Sequence, residues 1–380
     1  MDFSLTDEQQ LLLDSFQELL DRECSESYIA ELDRTHQPAT AFNKALSEAG
    51  FSSLGFPEEY GGTPADALTL VLLAEKAAHQ GLTNGFGGAL LQVRDILMFG
   101  SEEQKKTVLA LYQAGESPFS LCITEPGAGS DDAGMTTTAT RADGKVIING
   151  SKTFITGAQE AKYGLVLTRD LENPHPHRAM SMWLIPMDLP GITIHPLEKF
   201  AWNNEEFNEV FFDHVEVDPS TLVGEENNGF LQLMKNFEFE RVVIAASVLG
   251  QAQAAFEDAA RHAATRKQFG QPIGDFQLIQ LKLTNMAVKL ENIRNLVYKS
   301  AWMIDAGQPL KTMASMTKLY ATQAGFEIAD DALQIFGGIG VTADARISRL
   351  WRDMRLNRIG GGTDEMMIHT VGRQIVKDFG

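Results

Sequence analysis

Apolar residues in the first hundred positions recur at intervals of three and four. Leu11, Leu12, Phe16, Leu19 and Leu20 form one run; Leu68, Val71, Leu72, Ala74, Ala77 and Ala78 form a second. That spacing places each run on one face of a helix. Ser4 and Thr6 are candidate N-caps for the first, with Glu8 and Gln9 in its opening turn. Residues 50–62 (GFSSLGFPEEYGG) interrupt the pattern with turn formers. From about 116 to 224 alternation takes over. β-Branched residues crowd 135–140, 146–148, 163–168 and 182–186, Asp143-Gly144 signals a turn, and 211–217 (FFDHVEV) reads as the last strand. Helical spacing then returns in long segments, including 253–265, 276–305 and 311–337. Four such helices packed antiparallel bury their apolar stripes. The pattern predicts an α+β chain: a helical domain over 1–115, a β-domain of short antiparallel strands over 116–225 and a helical bundle over 226–380. There is no internal repeat and no low-complexity segment.

Two stretches in the β-region carry the candidate chemistry. Residues 121–131 read LCITEPGAGSD, and residues 149–157 read NGSKTFITG. Each runs from β-prone residues into a turn that combines Gly with Ser, Thr or Asp. Such turns bring backbone N–H groups and hydroxyls close to a ligand, because Gly tolerates tight approach and positive φ. A pair of ordinary β-turns explains each stretch taken singly. Two in one segment point to a polar-edged cofactor held against strand ends.

Composition narrows the partners. Lys plus Arg total 32 against 51 Asp plus Glu, a formal charge of −19. That argues against nucleic acid and against an anionic membrane surface, while leaving room for a local basic pocket. The two cysteines, Cys24 and Cys122, do not make a disulfide framework and suit a reducing compartment. The acidic opening shows no signal or transit pattern, and no apolar run approaches the ~20 residues of a membrane span. The cytoplasm is the expected location, and no metal is expected.

With their spacing, the two glycine-containing stretches resemble the acyl-CoA dehydrogenase family, in which they hold FAD. The likeness extends through residues 266–270 (RKQFG), 334–338 (QIFGG), Arg352-Asp353 and 361–363 (GGT), and from the LTDEQ opening at 5–9 to the last helix. It implies an N-terminal helical domain, a middle β-barrel and a C-terminal four-helix bundle.

The catalytic base is the point of tension. Over residues 230–250 the helical stripe contains Leu233, Phe237, Ile244 and Val248, with Glu240 among them and Arg241 next to it. A carboxylate facing an apolar interior is costly, and desolvation raises its pKa toward the range of a working base. A Glu240–Arg241 ion pair accounts for the same placement, and helix geometry leaves both open. Most members of the family carry their base as a Glu immediately before Gly-Thr near the C-terminus, where this chain has Gly361. A minority branch supplies it from a Leu-Glu-Arg or Gln-Glu-Arg motif, matched here by Phe239-Glu240-Arg241. The resemblance therefore assigns the base to Glu240.

The resemblance implies α,β-dehydrogenation of an acyl thioester, or the reverse reduction of an enoyl-CoA. Glu240 would take the α-proton, the β-carbon would pass hydride to the flavin, and a backbone N–H near Gly361 would stabilise the enolate oxygen. Leu121, Ile123, Thr124, Ser130, Phe154 and Thr156 match flavin contacts, and Arg266, Phe269, Gln277, Gln334, Gly337 and Gly338 match further FAD contacts, of which Arg266, Gln277 and 334–338 reach the FAD of a neighbouring subunit. Thr363 and Glu365 follow the pocket loop. Ser130, Arg241, Gly361, Gly362 and Arg373 match the substrate side. An oligomer, most simply a homotetramer, follows, with an electron-transferring flavoprotein as redox partner. The opening at 1–9, residues 256–260 (FEDAA) and residues 347–353 resemble a bacterial subgroup that includes crotonobetainyl-CoA reductase, which suggests a short or polar acyl group. Thioesters of an acyl carrier protein, a same-fold flavin monooxygenase and a non-catalytic flavin or acyl-CoA binder are the alternatives.

Overall fold

The computed structural model describes residues 4–83 and 86–380, and of 87–92 the backbone alone. The opening Met1-Asp-Phe, part of the subgroup likeness, lies outside them. Six helices come first: α1 (Asp7–Glu23), α2 (Glu26–Thr35), α3 (Thr40–Glu48), α4 (Ala67–Gln80), α5 (Gly87–Phe99) and α6 (Glu102–Gln113). Thr6 starts α1 with a capping box, its hydroxyl accepting from Gln9 N while Gln9 reaches back to Thr6 N. The buried stripe of α1 is Leu13, Phe16, Leu19 and Leu20, whereas Leu11 is 69% exposed. In a run of three leucines the helical period selects the third, since Leu13 stands three residues before Phe16.

The middle region holds β1 (Phe119–Cys122), β2 (Thr138–Ala142), β3 (Lys145–Thr156), β4 (Tyr163–Arg169), β5 (Met180–Pro186), β6 (Ile192–Pro196), β7 (Phe207–Val217) and β8 (Leu222–Val223). They form two four-stranded sheets, ordered β1-β4-β5-β8 and β2-β3-β7-β6. Their inner faces share a core around Trp183, Val166, Ile148, Val210 and Phe212. Two expectations are corrected here. β1 pairs parallel to β4, so the strands are not all antiparallel. Phe207–Val217 is not the last strand, because the chain adds β8 on β5. That strand is too short for alternation to register.

The C-terminal region comprises α7 (Gly229–Thr265), the small hairpin β9 (Lys267–Gln268) and β10 (Gln271–Pro272), then α8 (Gln277–Asp305), α9 (Lys311–Phe336), α10 (Arg346–Leu356) and α11 (Asp364–Phe379). α7 is one continuous helix across residues that sequence reading divided in two. At Gly250 an added Cβ would lie 2.0 Å from the Glu75 carbonyl oxygen, so α4 and α7 touch backbone to backbone. One apolar core runs from the N-terminal helices through Leu165, Met180 and Met182 into α7, α8 and α9. Asp353 locks the regions together: it accepts from Trp202 N at 2.6 Å, while neighbouring Arg352 pairs with Asp33 at 2.7 Å and donates to the Phe200 carbonyl.

Candidate active site

The two glycine-containing stretches are stitched to each other. Thr153 N donates to the Thr124 carbonyl at 2.8 Å. Lys152, wholly buried in β3, donates to the Ile123 carbonyl and to Glu125, both at 2.9 Å. Glu125 also accepts from the backbone N–H groups of Thr136 and Thr137. Burial opposes the charge on Glu125, but Lys152 and these hydrogen bonds prevail and hold the carboxyl down at about 2. Burial pushes the Lys152 ammonium down to about 8 against the pull of Glu125. Both groups are charged at neutral pH. Sequence reading missed this pair, because a Glu beside a turn and a Lys within a strand carry no signal alone.

Just past Lys152 the β3–β7 register shifts, and Phe154 sits in the bulge at φ 59°. An L-residue there costs about 1–2 kcal/mol. The bulge turns a 62% exposed aromatic ring outward beside Thr124 and Thr156, both half-buried. Leu121 and Ile123 are half-buried on or just after β1, and Ser130 is exposed on the turn. A strained backbone presenting a bare ring among hydroxyls and open glycines is a surface made for a planar ligand, and these residues fit a flavin.

Glu240 lies on α7, half-buried, with Phe239 and Val243 in the core beside it. Burial pushes its carboxyl up to about 7, moderated by the charges of Arg241 and Lys318. Arg241 is not simply its ion-pair partner, since its guanidinium donates to Ser315 at 3.4 Å. Across from Glu240 is the turn between α10 and α11, where Gly361 and Gly362 have φ of 63° and 92°. A Cβ added at Gly361 would stand 3.9 Å from Glu240 Oε1 and 2.3 Å from Ile244 Cδ1. Positions 240 and 361 thus face one spot, and Ile244 occupies the room that a side chain at 361 would need.

The turn is anchored from below. Lys318 Nζ donates to the Gly362 carbonyl at 2.6 Å. Arg358 pairs with Asp364 at 2.7 Å, and Asp364 also accepts from Gln323. Thr363 caps α11 through Met366 N, with Glu365 exposed in its first turn. On the α5 side, Asp95 is 1% exposed beside Asn236; burial pushes it up to about 8, opposed by the Asn236 amide and reinforced by Glu240. Lys318 and Asp95 were not singled out in the sequence, where each looks like an ordinary polar position on a helix.

The remaining candidates fall elsewhere. Arg266, Phe269, Gln277, Gln334, Gly337 and Gly338 are all exposed. They gather at one end of the bundle, where the His262 ring on α7 stacks on Phe336 of α9 with centroids 4.4 Å apart. Phe269 tips the β9–β10 hairpin, 94% exposed. Arg373 lies on α11, about 15 Å of helix rise beyond Thr363, lining a shallow depression of about 500 Å³ with His369 and Lys377. The structure does not bring it to Glu240.

Three family descriptions match in order: the acyl-CoA dehydrogenase N-terminal domain over residues 6–116, the middle domain over 120–215 and the C-terminal domain over 227–376. The chain belongs to the acyl-CoA dehydrogenase family, as a flavin-dependent oxidoreductase of acyl-CoA-like substrates. It is 48% identical to the probable acyl-CoA dehydrogenase YdiO of Escherichia coli, covering 100% of this chain and 99% of that one. Butyryl-CoA dehydrogenase from Megasphaera elsdenii superposes with a TM-score of 0.93 at 30% identity, covering 99% of this chain and 100% of that one. A chain solved in work on the electron-transferring flavoprotein of Acidaminococcus fermentans superposes with a TM-score of 0.93 at 33% identity, with each chain fully covered. No helix among the described residues is long and apolar enough to cross a membrane.

Proposed function

We propose that this chain catalyses FAD-dependent α,β-dehydrogenation of a short or polar acyl-CoA thioester, or reduction of the corresponding enoyl-CoA, with Glu240 as the base. The observation that carries this is the placement of Glu240 Oε1 against the Gly361 turn, with a carboxyl that burial pushes up to about 7. A carboxylate at that proton affinity takes an α-proton and returns it near neutral pH. Gly361 leaves a backbone N–H unobstructed by a side chain, suited to a developing enolate oxygen. Bound FAD supplies the hydride acceptor.

Leu121, Ile123, Thr124, Ser130, Phe154, Thr156, Thr363 and Glu365 are the residues we assign to FAD from the same subunit. Arg266, Phe269, Gln277, Gln334, Gly337 and Gly338 we assign to the FAD of a neighbour in a homotetramer; an almost bare Phe269 ring at a hairpin tip favours that reading. Ser130, Arg241, Gly361, Gly362 and Arg373 are assigned to the thioester and its CoA. We take the domain limits as 1–115, 116–225 and 226–380, the location as cytoplasmic and the redox partner as an electron-transferring flavoprotein.

The test is anaerobic absorbance of the purified flavoprotein mixed with short acyl-CoA and enoyl-CoA thioesters. One saturated thioester should bleach the flavin band, or its enoyl partner should reoxidise reduced flavin, and Glu240→Gln should bind the thioester without either change. Full turnover by Glu240→Gln would remove Glu240 from the mechanism. A flavin silent to every CoA thioester would redirect the assignment to carrier-bound substrates or to oxygen chemistry.

A further inference from the structure

Lys318 is an anomaly among the polar residues of the bundle. It stands in the middle of α9 with no exposure to solvent. A fully buried ammonium costs several kcal/mol unless charge and hydrogen bonds compensate it. Its one hydrogen-bond acceptor among the described residues is the Gly362 carbonyl, at 2.6 Å. The charges around it come from α7 and from the segment between α10 and the start of α11. α7 contributes Glu240 and Arg241, and the α10–α11 turn contributes Arg358 and Asp364. α9 itself contributes Ser315 and Thr322, which tie Arg241 and Asp364 to it. From α5, Asp95 also faces Glu240, with Arg94 beside it; burial pushes the Asp95 carboxyl up to about 8, toward its neutral form. Asp364 is already engaged by Arg358, Gln323 and Thr322. Arg241 also faces Glu238. Among the described residues Glu240 has no hydrogen-bonded cation, and the two charges that favour its ionised form are Arg241, the stronger, and Lys318.

Resting on the assignment of Glu240 as the base, we propose that Lys318 is a positioning residue for proton transfer: it pins the Gly361–Gly362 turn, which faces Glu240, through the Gly362 carbonyl and adds a second buried positive charge beside Arg241 on the side of the Glu240 carboxylate. The two tasks belong together. The reaction needs the base ionised and the Gly361 N–H aimed at one point, and a single ammonium beneath the turn serves both. A cation on the rigid interior of α9 holds the turn more closely than a surface side chain could, because its own rotamers are fixed by packing. A neutral side chain of similar length would fill the space but leave Glu240 desolvated with a weaker opposing charge, and its proton would be held to higher pH.

The experiment is an infrared titration of the Glu240 carboxyl, isolated by subtracting spectra of Glu240→Gln, in wild type, Lys318→Met and Asp364→Asn holoenzymes. The pH profile of flavin reduction by a thioester is measured in parallel. Lys318→Met should move the Glu240 midpoint upward by about one unit or more, and the acid limb of flavin reduction should follow it. Asp364→Asn, which frees Lys318 from a competing anion, should move the midpoint down. It keeps the test decisive if Lys318→Met does not fold. An unchanged Glu240 midpoint in both variants would overturn the proposal, even if melting temperature or KM changed, because packing alone would then explain Lys318. The infrared midpoint does not depend on turnover, so a failure of Glu240 as base is seen separately. In that case Glu240→Gln stays active while the midpoints still shift.

Discussion

A carboxyl buried as Glu240 is should weaken the fold, and Glu240→Gln measures by how much. In the folded chain burial lifts the Glu240 carboxyl from an ordinary 4.5 to about 7. At ~1.4 kcal/mol per unit this amounts to about 3 kcal/mol at most, since the pocket side admits some water. The sign follows from which state binds the proton more tightly. Below about pH 4.5 the carboxyl is protonated in both states and costs nothing as a charge. Between 4.5 and 7 the unfolded chain ionises first, so stability falls as pH rises. Above 7 the full penalty is present. Glu240→Gln removes the charge at every pH, and the cost of burying the Gln amide is the same throughout. The expected result is a variant whose advantage over wild type grows by about 2.5 kcal/mol from pH 5 to pH 8, a widening in Tm of roughly 3 °C for a chain of this size. Scanning calorimetry of the two flavoproteins at pH 5, 6, 7 and 8 reads it. A Tm difference that stays constant across that range would refute the claim that the folded protein holds a strained carboxylate at 240.

Two further substitutions probe the frame. Lys152→Met strands the Glu125 carboxylate and should cost about 3–5 kcal/mol in urea denaturation together with loss of flavin. Adding Glu125→Gln should recover part of that loss, and simple additivity would mean the pair does not hold the two stretches together. Gly361→Glu, which restores the majority base position, should cost about 1–3 kcal/mol through overpacking on Ile244. Ile244→Ala should relieve it, and no relief in the double variant would discard the steric account.

The legible parts of the chain were those in which one residue type repeats. Long apolar stripes marked α1, α4 and the bundle helices, the Thr6–Gln9 cap marked a helix start, and alternation marked the β-region. What escaped was set by partners distant in sequence. β8 has two residues, and only its neighbour β5 makes it a strand. The parallel β1–β4 pairing depends on how the chain returns. Glu125 meets Lys152 across 27 positions, and Lys318 meets Gly362 across 44. Each is an unremarkable polar residue until the fold buries it. Glu240 was visible because it broke a local stripe, whereas Asp95 and Lys318 break nothing locally and become unusual only in three dimensions.

If Glu240 is the base as proposed, the relation between Gly361 and Ile244 bears on why the turn carries no second one. A side chain at 361 would overlap Ile244 Cδ1 at 2.3 Å, so Ile244 must change rotamer to admit one, and the positive φ of 63° adds strain. Were a Glu placed at 361 anyway, it would lie beside Glu240, and two carboxylates sharing a desolvated site cannot both ionise. One would hold a proton near neutral pH and lose its use as a base. Gly361 is thus the other half of the α7 arrangement: it removes the competing charge, makes room for Ile244 and keeps the N–H of the turn. With Glu240 on a 37-residue helix, the rigidity of a base there would come from the bundle rather than from the turn. The turn then needs an anchor of its own, and the Lys318 contact to Gly362 supplies one.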